Sequence, residues 1–206
     1  MSLLLEADQP RRGLRERKKA KTRTAIQDQA LRLFAEQGYE ATTVEQIADA
    51  AEVSPSTFFR YFPTKEDAVM YDALDPLLLV AWEGQPAELS PIGALRATMR
   101  QVFSSAPADV LAHQDERAAL IFAVPELRMR MLDELVRSMH LFIDIAAKRA
   151  GKTPDDAAVQ ALAGAVIGVA IAAWVSAGGL RASDYVQRMD AGLAELEAGF
   201  PSLARP

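Results

Sequence analysis

The sequence predicts an all-α protein. Three observations carry this: apolar residues recur at three- and four-residue spacing along most of the chain, no segment alternates with period two long enough for a strand, and helix-start signals recur throughout. With 206 residues, half of them hydrophobic and a quarter charged, the chain can bury a sizeable core and is not wholly disordered. It contains no cysteine, which removes disulfides, thiol nucleophiles and finger-type zinc sites. Residues 1–10, MSLLLEADQP, lack the basic start and apolar run of a secretory signal, so a cytoplasmic location is expected.

The first stretch, residues 1–19, is charged and without sustained hydrophobic period, and reads as a mobile basic arm. From Lys21 the pattern turns helical, with Ile26, Ala30, Leu33 and Phe34 on one face and Gly38 placed as a C-cap. Thr43 and Gln46 have capping-box spacing and open a helix of about two turns carrying Val44, Ile47, Ala48 and Ala51. Ser54 and Pro55 are a good N-cap and first helical residue for a third short helix running to Phe62, which Pro63 stops. Thr64 with Asp67 starts a fourth, through Val69. Helices this short must bury their stripes against one another, and two of them joined by a tight turn suggest helix-turn-helix.

Beyond Pro76 the helices lengthen. Ser90-Pro91 opens one reaching Phe103, Ala108–Val124 forms another, and Pro125 begins a long one ending near Gly151. Thr153-Pro154-Asp155-Asp156 starts the next, which ends at Gly178-Gly179. Ser183 begins the last, with Tyr185, Met189, Leu193, Leu196 and Phe200 on one side. The long helix after Pro125 carries two apolar stripes, Leu127, Met131, Leu135 and Phe142 on one and Met129, Leu132, Val136, Met139 and Ile143 on the other, so burial on two sides is expected.

Charge is distributed unevenly. The net charge is −5, yet residues 11–32 hold nine Lys or Arg against two acids, while residues 66–206 hold 12 against 19. A basic front on an acidic body fits a DNA-binding head and is equally compatible with a solvated tail. In the third helix, Phe58 and Phe62 share the inward face, and Ser56, Thr57 and Arg60 point most nearly the other way, with Phe59 and Tyr61 flanking. Short polar side chains near a helix N-terminus, plus an Arg able to bind guanine bidentately, suit a helix in the major groove; an ordinary solvent face is the alternative.

The run ATTVEQIADAAEVSPSTFFRYFPTKEDAV, from Ala41 to Val69, with ALRLFAEQGYEATT before it, closely resembles the DNA-binding segment of the TetR family of bacterial transcriptional repressors. The resemblance covers residues 21–69; past Val69 only the family's pattern of long helices is recognisable. It implies a helix-turn-helix DNA-binding domain over residues 20–69 and a ligand-binding and dimerisation domain over residues 70–206. It also implies that Thr43, Thr57, Tyr61 and Lys65 meet phosphates, and that Ser54, Pro55, Ser56, Phe59 and Arg60 lie at or near base edges. Lys65 at the start of the fourth helix is suited to share a phosphate with backbone N–H groups. The chain departs from the family at three positions: Glu52 stands where Gly is usual, Ser56 where Gly is frequent and Phe59 where Tyr is frequent. The arm's Arg11, Arg12, Arg15, Arg17, Lys18, Lys19, Lys21 and Arg23 could follow the DNA backbone or enter a minor groove.

The resemblance further implies a small, often hydrophobic effector in the C-terminal domain. Candidate contacts are Phe103, His113, Arg117, Phe122, Met131, Met139, His140 and Trp174, with ordinary core packing the alternative for each aromatic or Met. Two His residues without a clustered set argue against a metal site, and no cofactor is expected. The segment from Ala157 to Gly179 is nearly uncharged and approaches a membrane span in length, but it is mainly Ala and Gly, contains Gln160 and lacks basic flanks. Its small residues Ala161, Gly164, Ala165, Gly168 and Ala172 allow close approach of another helix, with Leu193 and Leu196 of the last helix as a second face; relatives dimerise through their last two long helices. Enzyme motifs are missing: no G-x-S-x-G, no H-E-x-x-H, and Gly151-Lys152-Thr153 has Ala146 where a phosphate loop needs Gly. The expectation is a homodimeric repressor on a palindromic double-stranded DNA operator, released by a small effector. A DNA-binding dimer controlled by a protein partner or by abundance is the alternative.

Overall fold

The computed structural model describes residues 14–177 and 181–201. Among these, ten α-helices occur and no strand: α1 (Leu14–Gln37), α2 (Val44–Ala50), α3 (Pro55–Tyr61), α4 (Lys65–Met70), α5 (Asp75–Glu83), α6 (Pro91–Ser105), α7 (Ala108–Ala123), α8 (Pro125–Ala150), α9 (Ala157–Ala177) and α10 (Ala182–Ala198). The chain divides into two compact units, residues 1–69 and 70–206.

In the first unit, Ile26, Ala30 and Phe34 of α1 are buried with Ile47 and Ala48 of α2, Phe58 of α3, Phe62, and Ala68 and Val69 of α4. Its buried polar residues Gln27 and Thr42 are paired. Gln27 donates to the Ala68 carbonyl at 2.8 Å, and the Thr42 hydroxyl donates to the Gly38 carbonyl at 2.7 Å. Both Thr43 and Ser54 cap as their types dictate, Thr43 in a full capping box with Gln46 and Ser54 accepting the Thr57 N–H.

Two expectations for this unit need correction or refinement. Residues 14–19, assigned to a mobile arm, are helical, because α1 begins at Leu14. The stretch shows no apolar period, yet Leu, Arg, Lys and Ala are strong helix formers, and extending an existing helix costs little. Arg11 and Arg12 lie outside the described residues. At the turn, Glu52 does adopt the left-handed conformation (φ 53°), with its N–H on the Asp49 carbonyl and the Val53 N–H on Ala48. Glu52→Gly is therefore expected to raise stability by about 0.5–1 kcal/mol in chemical denaturation. Unchanged or lower stability would mean that the Glu side chain compensates for the strain.

The second unit has one main core built from α6, α8, α9 and α10 with Trp82 of α5: Phe142, Ile143, Ala146, Ala163, Val166, Ala170, Met189 and Leu193 are all buried. Helix α5 was not expected from sequence. Pro76 sits in its first turn, the Leu74 N–H is held by the Asp72 carboxylate at 2.8 Å, and Gly84 ends it. Arg149 then lies over the Trp82 ring at 4.9 Å and donates to the Pro86, Trp82 and Gln85 carbonyls. A second lock joins α6 to α10, where Arg96 pairs with Asp190 at 3.0 Å and Glu197 at 2.8 Å, and Arg100 pairs with Asp190 at 2.7 Å. Gly192 lets α10 lie so close to α9 that a Cβ there would stand 2.6 Å from the Val169 methyl.

Helix α8 is not buried on both sides along its whole length. Leu127, Phe142 and Ile143 are buried, but Met129, Leu132 and Val136 of the second stripe are exposed, Met129 at 66%. Only the N-terminal part of that stripe turns to solvent; its Met139 and Ile143 pack with the main core, so the expected two-sided burial holds in the C-terminal half of α8. Leu193 and Leu196 likewise belong to the internal core and do not form an outer face.

Candidate nucleic-acid interface and interior cavity

Helix α3 presents two chemically distinct sides. Phe58 is fully buried and packs against the rings of Phe59 and Phe62 at 5.6 and 5.9 Å, which fixes the helix rotation. Ser54, Pro55, Ser56, Phe59 and Arg60 are consequently exposed, while Thr57 and Tyr61 are half-buried. Ser54, Ser56 and Thr57 form a hydroxyl cluster, with Ser54 Oγ 2.9 Å from Ser56 Oγ and 3.0 Å from Thr57 Oγ1. The Arg60 guanidinium lies 5.5 Å from the Tyr61 ring centroid and 3.5 Å from the Thr57 hydroxyl. An exposed Arg stacked on an aromatic ring is partly pre-oriented for bidentate recognition. Phe59, half exposed, is an apolar surface of the kind that meets a thymine methyl.

Lys65 is placed differently from the simple phosphate-binding picture. Its ammonium donates to the Tyr39 carbonyl at 3.0 Å and the Thr42 carbonyl at 3.4 Å, and sits 4.1 Å from the Tyr39 ring. One of its three N–H groups remains for an outside acceptor. The N-terminus of α4 is meanwhile filled by its own chain, since the Asp67 carboxylate accepts the Thr64 N–H at 3.0 Å and hydroxyl at 2.9 Å. Tyr39 donates to Glu66 at 2.6 Å. Burial alone would push the Glu66 carboxyl up, but hydrogen bonds from Tyr39, its own backbone and Thr64, with the Lys65 charge, outweigh it and hold the group below its ordinary range. Lys65 thus ties the loop after α1 to α4.

The second unit contains a cavity of about 300 Å³ that is partly open to solvent. Its apolar wall includes Leu78, Phe103, Ile121, Met131, Leu135 and Trp174, and its polar wall includes Asp72, Asp75, Gln114, Arg117, Glu134 and Tyr185. Arg117 is the knot of the polar side. It bonds the Asp72 carboxylate at 2.6 Å, the Met70 carbonyl at 3.1 Å and the Gln114 oxygen from both Nε and Nη2, while Gln114 donates to Asp72 at 2.7 Å. Glu134 pairs with Arg137 at 2.9 Å. The Asp75 carboxylate and the Tyr185 hydroxyl form no hydrogen bond or ion pair among the described residues.

Of the residues singled out in the sequence, Phe103, Arg117, Met131 and Trp174 are in the cavity wall. His113, Phe122, Met139 and His140 are not. His140 is exposed, Met139 packs against the main core, and Phe122 supports the wall from behind, its ring 5.7 Å from that of Trp174. Asp72, Asp75, Gln114, Glu134, Ser138 and Tyr185 line the cavity without having been singled out. An i,i+3 pair, Gln114 and Arg117 on one helix face, was the available signal for one of them.

Helix α9 shows an outer face without charge. Ala157, Ala161, Gly164, Gly168, Ile171, Ala172 and Val175 are exposed, and Gly164 and Gly168 have nothing within 4 Å of where a Cβ would be. By length and composition the stretch Ala157–Ser176 could cross a membrane, with mean hydropathy 2.1, but Val159, Ala163, Val166, Ala170 and Ala173 pack into the core of the helical unit.

A capped, rigidly seated helix with an exposed polar and cationic side, joined by a tight turn to the helix before it, and a separate helical unit with an interior cavity define a helix-turn-helix transcriptional regulator. The comparisons agree. Residues 26–69 match the model of the bacterial regulatory proteins of the tetR family, and residues 89–201 match the MftR C-terminal domain. The chain belongs to the TetR family, whose members are DNA-binding regulators and not enzymes. It is 48% identical over 92 residues to the transcriptional regulator TcmR of Streptomyces glaucescens, a match covering 44% of this chain and 41% of TcmR. To the transcriptional regulator MftR of Mycobacterium tuberculosis it is 26% identical over 160 residues, 77% of this chain and 80% of that protein. The fold is shared with Thermus thermophilus FadR, a TetR-family repressor solved with lauroyl-CoA (TM-score 0.53, 23% identity, 89% and 96% of the two chains). A regulator from Syntrophomonas wolfei is also similar (TM-score 0.57, 17% identity, 90% and 99%).

Proposed function

We propose that this protein is a cytoplasmic repressor that binds a palindromic operator as a homodimer and releases it when a small molecule enters the cavity. The observation that carries the DNA reading is the exposure of Ser54, Pro55, Ser56, Phe59 and Arg60 on a helix whose opposite side is locked by Phe58. Thr43, Thr57, Tyr61 and the remaining N–H of Lys65 are proposed as phosphate contacts that set its register. The charge-free outer face of α9 supports a dimer, since an unpartnered face of that kind is costly to leave in water. The cavity supports control by a ligand over control by abundance, because a filled body would have no room for one. That FadR holds an acyl-CoA shows only that FadR takes such a ligand; for this chain it supports a small molecule in the helical unit.

The Arg117 knot suggests how occupancy would be felt. Arg117 holds the Met70 carbonyl, the last residue of α4, so a ligand that reorganises the Asp72–Arg117–Gln114 contacts acts on the end of the helix that begins with Lys65. Such a ligand must bind one arrangement better than the other to shift the population.

The test is fluorescence anisotropy on DNA tiled across the protein's upstream region, and on a selected random pool, at two salt concentrations. Arg60→Ala is expected to cost about 1–3 kcal/mol at the operator and to relax discrimination at one base position. Weak binding, equal on every fragment and unchanged by the substitution, would overturn the assignment of α3 as the reading helix.

A further inference from the structure

Helix α1 reaches past the bundle it belongs to. It begins at Leu14, yet the first of its described side chains to be buried is Ile26. Lys18, Lys19, Ala20 and Lys21 are all exposed, and four consecutive residues at steps of about 100° go right round a helix, so this turn has no covered side. Residues 14–23 hold six Lys or Arg (Arg15, Arg17, Lys18, Lys19, Lys21 and Arg23) against one acid, Glu16. Like charges stand four apart at Arg15 and Lys19, Arg17 and Lys21, and Lys19 and Arg23, a spacing that works against the helix unless an outside anion neutralises it. Lys18, Lys19 and Lys21 form no ion pair among the described residues.

We infer that this overhang is a second, sequence-independent DNA contact: a preformed cationic helix laid against the phosphates that flank the bases read by α3. This rests on the reading of the first unit as the DNA-binding head and adds a surface to it. Position supports the assignment. The Arg23 guanidinium lies 5.8 Å from the ring centroid of Phe62, the residue that closes α3, and Gln27 one turn on is bonded to the Ala68 carbonyl of α4. The overhang therefore springs from beside the C-terminal end of the reading helix, inside one compact unit. From Lys21 back to Leu14 it spans about 12 Å, against one phosphate charge per roughly 1.7 Å of duplex axis.

Helical form decides between the two routes open to a basic segment beside DNA. A helix with its side chains is about 10–12 Å across, whereas the minor groove of B-DNA is about 6 Å wide. An extended arm can enter that groove; this helix cannot, and the major groove is the one assigned to α3. What is left to the overhang is the phosphate backbone, which carries no base identity. Lysines suit that role, since each acts as a point charge that needs no fixed geometry.

Two variants of the full chain test this by anisotropy over a range of salt, beside Arg60→Ala: the triple substitution Lys18→Gln, Lys19→Gln, Lys21→Gln, and the single substitution Ala20→Pro. Each phosphate contact contributes about 0.9 to the slope of log affinity against log salt, so the triple variant is expected to lower that slope by about 2–3 per subunit and to weaken binding at least roughly tenfold near 0.1 M salt. The loss should be equal on operator and random duplex, leaving discrimination intact, whereas Arg60→Ala erodes discrimination. Ala20→Pro keeps every charge but breaks the helix, and should lose a large share of the same affinity. A triple variant with the parental slope would show that the lysines stay solvated in the complex. Parental affinity in Ala20→Pro beside a weakened triple variant, or a triple variant with altered base preference in the flanks, would show a flexible arm reading the minor groove. Any of these results overturns the overhang assignment and leaves α3 as the reading helix. If the parent protein holds no DNA at any salt concentration, the DNA-binding reading falls with it.

Discussion

Replacing Phe58 by alanine is expected to cost the N-terminal unit about 3–5 kcal/mol, a loss comparable with the whole stability of so small a bundle. Phe58 has no exposed surface and packs against the rings of Phe59 and Phe62, so its truncation removes those contacts and leaves a cavity in the core of the unit. Operator binding should vanish, and helical content should fall by only the share that α1–α4 contribute. Thermal melts followed by far-UV circular dichroism, with anisotropy on the operator, would check this. A variant that melts at the parental temperature would show that the stacked phenylalanines are not what seats α3.

The second large effect is expected at the outer face of α9. Gly164→Glu places a charge where no neighbouring atom of the same chain lies within 4 Å, so the single chain should tolerate it. If two copies meet there, the same charge would be buried against its symmetry mate at a cost of several kcal/mol. Light scattering is then expected to report a monomer. DNA affinity should fall by orders of magnitude, because each half-site would be held separately and the gain from joining two of them lost. A Gly164→Glu protein that remains dimeric would place the interface elsewhere.

The sequence was most readable where several local rules agreed. Ser54 followed by Pro55, and Thr43 with Gln46, announce their caps, and the three- and four-residue spacing places Phe58 and Phe62 inside; the structure has all of these. Helix α5 was missed because Leu77, Leu78, Leu79 and Val80 are consecutive apolar residues, and such a run has no period to read; Leu77 and Val80 are in fact exposed. The start of α1 was missed for the opposite reason, since a stretch made almost wholly of basic and acidic residues has no apolar period either.

The cavity was half legible. Large apolar residues such as Phe103, Met131 and Trp174 could be suspected from the long helices that carry them. The polar wall could not, since Asp72, Asp75, Arg117 and Tyr185 come from three separate stretches of chain and meet only through packing. His113 and His140 stand four residues before Arg117 and Asp144, but that spacing says only that each pair shares a helix face, not that the face lines a cavity. Likewise the exposed Met129, Leu132 and Val136 read as buried because a sequence shows that a face is apolar and not whether anything covers it.

The close seat of Gly192 on Val169 and the double clamp of Arg96 and Arg100 on Asp190 divide the cavity wall into parts of unequal stiffness. Helices α6, α9 and α10 are cross-braced, so Trp174 and Tyr185 form an anvil. The part of the wall where Asp72 and Asp75 sit, on a short connection and the first turn of α5, is held through Asp72 by hydrogen bonds that can be exchanged one at a time. A ligand of the kind proposed would therefore find the most exchangeable contacts at residues 70–75, and the braced helices would be the last to give.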